Sequence, residues 1–175
     1  MVLDPTLLIG REKWDEIKSI VDVEEKYVLR YMLGDMPIEA NELINKIYGD
    51  IKIVDVGDLL CGNGGIIGPS EFLSLVEQAE MVCTDSYHAC IFSTLYKKPF
   101  VIFDRHDTHQ SMSSRIDTLC STLDLDSHRF NSSKFNIDEV LSFNFDKTFE
   151  LLYKEKYKSL TFLKCALTGD ENLNE

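Results

Sequence analysis

The sequence predicts an α/β fold, an open parallel sheet with helices on both of its faces. Three observations predict it. Apolar runs of strand length alternate with amphipathic helical patterns. Each run is short and rich in Val, Ile, Tyr or Phe. A hydrophobic share of 44% with 27% charged residues, over 175 residues, suits one globular core.

The first candidate strand is Lys26–Leu33 (KYVLRYML), and it leads into a crossover helix on which Ala40, Leu43, Ile44, Ile47 and Tyr48 recur at helical spacing. The second is Ile51–Val56 (IKIVDV), followed by a glycine-rich loop and a helix carrying Phe72, Leu75, Val76 and Ala79. Pro69, Ser70 and Glu71 open that helix, with its capping residue left open. The third strand, Glu80–Thr84 (EMVCT), runs into a helix marked by His88, Ile91, Phe92 and Leu95, which Asp85 or Ser86 can cap. The fourth, Pro99–Phe103 (PFVIF), precedes a helix through Met112, Ile116, Leu119, Cys120 and Leu123. From Ile137 onward, Phe149, Leu152, Tyr153, Tyr157, Leu160, Leu163 and Leu167 form a stripe that predicts a long helix.

Charge and cysteine content exclude several function classes. Eighteen Lys and Arg against thirty Asp and Glu give a net charge of −12, which repels nucleic acid and anionic lipid in the absence of a basic run. The expectation is no nucleic-acid partner and at most peripheral membrane association. The sequence has no apolar stretch of membrane-spanning length, and Met1–Arg11 lacks the pattern of a signal peptide, so a cytoplasmic location is expected. Five cysteines without a C-x-x-C pair read as reduced thiols, with Cys83, Cys90 and Cys120 in apolar runs.

In an open α/β sheet, ligands bind beyond the carboxyl ends of the strands, here in the loops beginning at Gly34, Gly57, Thr84 and Asp104. The loop Gly57 to Gly68 (GDLLCGNGGIIG) holds five glycines in a phosphate-loop context. Its glycines at 62, 64 and 68 match neither G-x-G-x-x-G nor a P-loop, and it reads as a flexible loop. Thr84 to His88 is the stronger candidate: a helix N-terminus and a titratable imidazole converge there, as anion binding and proton transfer require. The competing reading makes His88 a hydrogen-bonded core residue.

Asp85, Ser86 and His88 do not form a hydrolase triad, because residues two apart on a helix diverge by roughly 200°. His106 and His109 are two imidazoles without a third ligand, a pattern of exposed loop residues, so no metal or other cofactor is expected. Arg105 and Arg115 flank one loop and offer guanidinium groups to a carboxylate or phosphate near the edge that carries His88. Alternatively, Arg115 pairs with Asp117 or Glu139, and Ser113 or Ser114 simply caps a helix.

GPSEFLSLVEQAEMVCTDSYHACIFSTLYKKPFVIFDR, then SMSSRIDTLCSTLDLDSHR, resembles the C-terminal part of the polysaccharide pyruvyl transferase family, in which a DS-aromatic-H junction, a KPFV strand and an SRI helix follow in this order. DPTLLIGREKW resembles the segment that joins the family's two domains. Together these stretches cover most of positions 2 to 130.

The resemblance implies a Rossmann-like domain forming the C-terminal half of a GT-B-like fold. On that basis residues 1–25 are an interdomain linker-like segment, 26–135 the Rossmann-like domain and 136–175 a helical tail, with an N-terminal Rossmann-like domain missing from this chain. It also implies pyruvyl transfer from phosphoenolpyruvate to two hydroxyls of a saccharide acceptor, forming a ketal on surface polysaccharide. His88 then takes the acid or phosphate-contact role, and Asp85, Ser86, Arg105, Ser114 and Arg115 surround the substrate. Several relatives carry arginine two positions before this histidine, where Ser86 stands. Either Arg115 or Arg105 supplies that cation, or the donor is held differently, or activity is absent. The alternatives are the donor domain of a GT-B glycosyltransferase using a nucleotide sugar, and a non-catalytic binding or assembly module. The stripe Phe149 to Leu167 is a candidate face for homo-oligomer formation.

Overall fold

The structure is a computed structural model and describes residues 2–61, 67–105, 111–131, 133 and 135–169, without the side chains of 60, 61 and 111–113. Its centre is a four-stranded, all-parallel sheet in the order β2-β1-β3-β4, formed by β1 (Tyr27–Tyr31), β2 (Lys52–Asp55), β3 (Met81–Thr84) and β4 (Phe100–Ile102). All four strands fall inside the predicted runs. The predicted ends overshoot because apolar composition continues past the last ladder pairs, Tyr31 with Thr84 and Thr84 with Ile102.

The helices are α1 (Pro5–Leu8), α2 (Arg11–Asp15), α3 (Ile38–Tyr48), α4 (Val56–Cys61), α5 (Pro69–Gln78), α6 (Tyr87–Leu95), α7 (Ser111–Leu123), α8 (Ile137–Leu141) and α9 (Asp146–Thr168). Alternate residues of each strand enter opposite cores, as a pleated strand buried on both faces must arrange them. Leu29, Val82, Phe100 and Ile102 pack with α5, α6, α7 and α9; Val28, Met81, Cys83 and Val101 pack with α3 and Val140 of α8. The fold is thus α/β and Rossmann-like, with helices on both faces.

One local feature differs from the sequence-based expectation, and two others add to it. Val56 opens α4 instead of closing a strand, because Asp55 Oδ1 turns back to accept the N–H groups of Gly57 (2.8 Å) and Asp58 (3.4 Å). The flexible-loop reading of Gly57 to Gly68 therefore fails over 57–61, while Gly62 and Gly64 lie outside the described residues. Gly68 is the N-cap of α5, with Pro69 first in the helix and Glu71 Oε2 accepting the Gly68 N–H at 2.9 Å. Residues 2–18, within the stretch read as linker-like, carry α1 and α2 and pack closely: Leu7 is buried in the core and Trp14 meets Phe92 edge-on at 5.2 Å.

The chain passes from β1 outward to β2 and then crosses back to β3 on the opposite side of β1. The order of the strands therefore reverses between β1 and β3. In such sheets the crevice at that switch point is the usual ligand site.

Candidate functional site at the sheet switch point

Thr84 and Asp85, at the end of β3, bind this switch point together. The Thr84 hydroxyl donates to the carbonyl of Tyr31 at 2.6 Å and accepts the N–H of Ser86 at 2.9 Å. Asp85 is buried, and its two carboxylate oxygens accept the N–H groups of Leu33 (2.7 Å) and Gly34 (2.9 Å) beyond β1. Arg105, just beyond β4, donates from Nε to Asp85 Oδ2 at 3.0 Å and from Nη2 to the Asp85 carbonyl at 3.3 Å. Two backbone donors and a guanidinium form an anion cradle of the kind that holds phosphate, and here a carboxylate of the chain itself sits in it. Gly34 is required there: a Cβ at that position would meet Arg105 Cγ at 2.7 Å and Asp85 Oδ2 at 3.2 Å.

With Asp85 turned toward β1, α6 begins without a side-chain cap. Ser86 occupies the N-cap position, is buried, and its hydroxyl makes no capping hydrogen bond. The first-turn N–H groups of α6 and its dipole then face the adjoining cleft without a competing oxygen from the cap. His88 lies in that first turn and is exposed, so the core-histidine reading does not hold for it. It stands with Ser86 on a cleft of about 380 Å³ whose other walls include Tyr31, Leu33, Phe72 and Phe92. Tyr31, Phe72 and Phe92 form a chain of edge-to-face rings, with centroids 5.2 and 6.2 Å apart.

Tyr87, one residue earlier, lines a second cleft, of about 320 Å³, on the other flank of the α6 start, together with Ser114 and Arg115 of α7 and Asp4. Arg115 places its guanidinium 4.1 Å from the centre of the Tyr87 ring and bonds Asp4 Oδ2 at 3.0 Å. The partners suggested by sequence proximity are not used for this pair: Asp117 bonds Arg129 instead. Burial pushes the Asp4 carboxyl up, but hydrogen bonds from Thr6 and the charges of His88 and Arg115 outweigh it and hold the group below its ordinary value. Burial, reinforced by Asp4, raises the Tyr87 hydroxyl.

The six predicted residues thus fall into two linked groups. Asp85, Ser86 and His88 share one turn, and Arg105 joins them through Asp85. Ser114 and Arg115 belong to the neighbouring cleft and reach the first group through Tyr87, whose ring lies 5.4 Å from that of His88. Ser114 is inside the first turns of α7, which starts at Ser111, and its carbonyl accepts from the Thr118 hydroxyl at 2.8 Å, so it is not the helix cap. His106 and His109 lie outside the described residues; among those described, no group of three His, Cys, Asp or Glu is placed to hold a metal. Cys83, Cys90 and Cys120 are free and buried, and burial pushes the thiols of Cys83 and Cys120 up to about 12. No described helix is long and apolar enough to cross a membrane.

The sequence signals neither Asp4 nor the aromatic wall as part of a site, and Tyr87 only as a member of the Thr84 to His88 junction. The Asp4–Pro5 start of α1, with Asp4 accepting the Thr6 N–H at 3.0 Å, is a readable cap signal, yet its pairing with a residue 111 positions away is not. Residues 1–107 match the family model described as polysaccharide pyruvyl transferase, a segment that takes in the whole sheet, His88 and Arg105 and stops before Ser114 and Arg115. Among the curated proteins none matches the chain.

Proposed function

Given that the chain belongs to the polysaccharide pyruvyl transferase family, a family of transferases, we propose that it binds phosphoenolpyruvate at the start of α6 and takes part in moving its pyruvyl group onto two hydroxyls of a saccharide. The observation that carries this reading is the exposed imidazole of His88 in an uncapped first helical turn, at the mouth of a cleft of about 380 Å³. Helix N–H groups suit the phosphate or the carboxylate, and the imidazolium form of His88 suits proton delivery to the enol methylene.

In the proposed reaction, C3 of the enol takes a proton while one sugar hydroxyl adds to C2. Loss of inorganic phosphate then opens C2 to the second hydroxyl, and each hydroxyl gives up its proton to a base. The product is a cyclic ketal of pyruvate, formed with no change of oxidation state. Ser86 sits at the rim of the donor site. Arg115, held over Tyr87, is the cation placed to replace the arginine that relatives carry at the Ser86 position, with Ser114 beside it. Asp85 and Arg105 act by shaping the turn. The saccharide acceptor would lie against an N-terminal Rossmann-like domain in a GT-B-like pairing, so turnover would need that domain. Buried free thiols suit a reducing, cytoplasmic setting.

A second reading rests on the aromatic wall. Tyr31, Phe72 and Phe92 offer ring faces and edges to a flat apolar group, as the base of a nucleotide sugar would require. Thermal-shift titration separates the two: phosphoenolpyruvate should raise Tm in the wild-type protein and not in His88→Ala. A shift produced by nucleotide sugars alone would favour the glycosyltransferase reading. No shift with either would favour a binding or assembly module.

A further inference from the structure

The longest helix, α9, has two faces that call for a partner, and the chain covers one of them. Thr148, Leu152 and Ser159 are buried on the side that meets α1 and α7, where Ser159 Oγ accepts the Leu3 N–H at 3.0 Å. On a different side, Tyr153, Tyr157, Leu160 and Leu167 are 65%, 74%, 46% and 86% exposed. With Asp146, Glu150 and Lys164 they follow a strict four-three spacing, the a/d spacing of a coiled coil, and cover an arc of roughly 100° of the helix. The residues of this seam are exposed from end to end.

We propose that this seam is the contact between two copies of the chain, whose α9 helices pack antiparallel. Charge complementarity fixes the orientation. The seam is acidic at its start, with Asp146 and Glu150, apolar in the middle, and basic near its end, with Lys164. Parallel packing would set Lys164 against Lys164 and Glu150 against Glu150. Antiparallel packing centred between Tyr157 and Leu160 puts Tyr157 against Leu160 of the second copy. It also sets Tyr153 against Lys164 of the second copy, with Glu150 within one turn of that lysine, so the lysine gains a ring face and a carboxylate together. An anionic lipid surface fits less well, because carboxylates share the seam and the chain carries a net charge of −12. The contact is short and small among specific interfaces, so a weak, concentration-dependent dimer is expected.

Sedimentation equilibrium of the full chain from micromolar to several hundred micromolar reads this directly. The wild type is expected to dimerise, and Leu160→Glu, at an exposed position, to weaken the dimer at least about tenfold while circular dichroism stays unchanged. Lys164→Glu should weaken it too, and adding Glu150→Lys should restore it. In a Cys165→Ser background, Glu150→Cys with Leu167→Cys should give a disulfide-linked dimer, and Leu167→Cys alone should not. A monomer at every concentration, a dimer indifferent to Leu160→Glu, or efficient linkage through Leu167→Cys alone would each overturn the proposal. So would a chain that stays monomeric yet sediments with phosphatidylglycerol vesicles, which would assign the seam to lipid.

Discussion

His88 and His128 sit at opposite ends of the range of environments that one side chain can meet in this protein. His88 is exposed at the switch point of the sheet, in the first turn of a helix without a side-chain cap. His128 is fully buried, stacked on Phe100 at 4.2 Å, edge-on to Phe143 at 4.5 Å, and hydrogen-bonded through Nδ1 to the Phe100 carbonyl at 2.8 Å. Its Nε2 has no partner among the described residues. Burial lowers its pKa to about 4, only partly offset by the hydrogen bond to Phe100. One histidine is open to solvent beside a cleft, and the other holds β4 against the segment leading into α9. Sequence neighbours therefore say little about an imidazole's place: His88 heads an apolar run and is exposed, whereas His128 lies in a polar stretch and is buried.

The largest expected effect that sharpens this contrast is acid destabilisation through His128. An unfolded chain binds the proton near the ordinary value of 6.5 and the folded one only near 4, so the unfolded state gains protons first as pH falls. The stabilisation is complete above about pH 6.5 and is lost as pH falls toward 4, by about 3 kcal/mol. Urea unfolding at a series of pH values should show that slope in the wild type and a flatter one in His128→Leu. Equal slopes would remove His128 from the account.

A comparable loss is expected at the anion cradle. Asp85→Ala removes the carboxylate that accepts from Arg105 Nε and from two backbone N–H groups, at a cost of about 3 kcal/mol in unfolding free energy. Gly34→Ala should cost less, about 1–2 kcal/mol, because the new methyl must displace the Arg105 stem, which is the flexible part of the cradle. His88→Ala should change stability by about 0.5 kcal/mol or less, since the side chain is exposed. That near-zero effect separates the two histidines most sharply; a large one would make His88 structural.

Much of the fold was legible because strands buried on both faces read as unbroken apolar runs, as MVCT and FVI do here. Helices with one apolar face were legible for the same reason. The short helices α1, α2 and α4 were not, since four to six residues are too few to show a period, and the starts of α1 and α4 depend on the local bonds of Asp4 and Asp55. Of the site, the helix start at Thr84 to His88 could be read from the strand-to-helix transition. The bonds of Asp85 to Leu33 and Gly34, about fifty positions away, and of Arg115 to Asp4 could not, because only tertiary folding brings those ends together. His128 lies in the polar stretch DLDSHRF. It is buried because a 3-10 turn at Asp126–His128 and the bridge of Arg129 to Ile102 fold that stretch under β4.

The proposed donor site is the start of α6, with His88. Titration calorimetry of phosphoenolpyruvate into the wild-type chain and into His88→Ala tests it most directly. Measurable binding is expected of the wild type and an affinity at least about tenfold lower of the variant, the loss of one charge-assisted hydrogen bond, with both proteins equally stable. Equal affinity in the two proteins would contradict it.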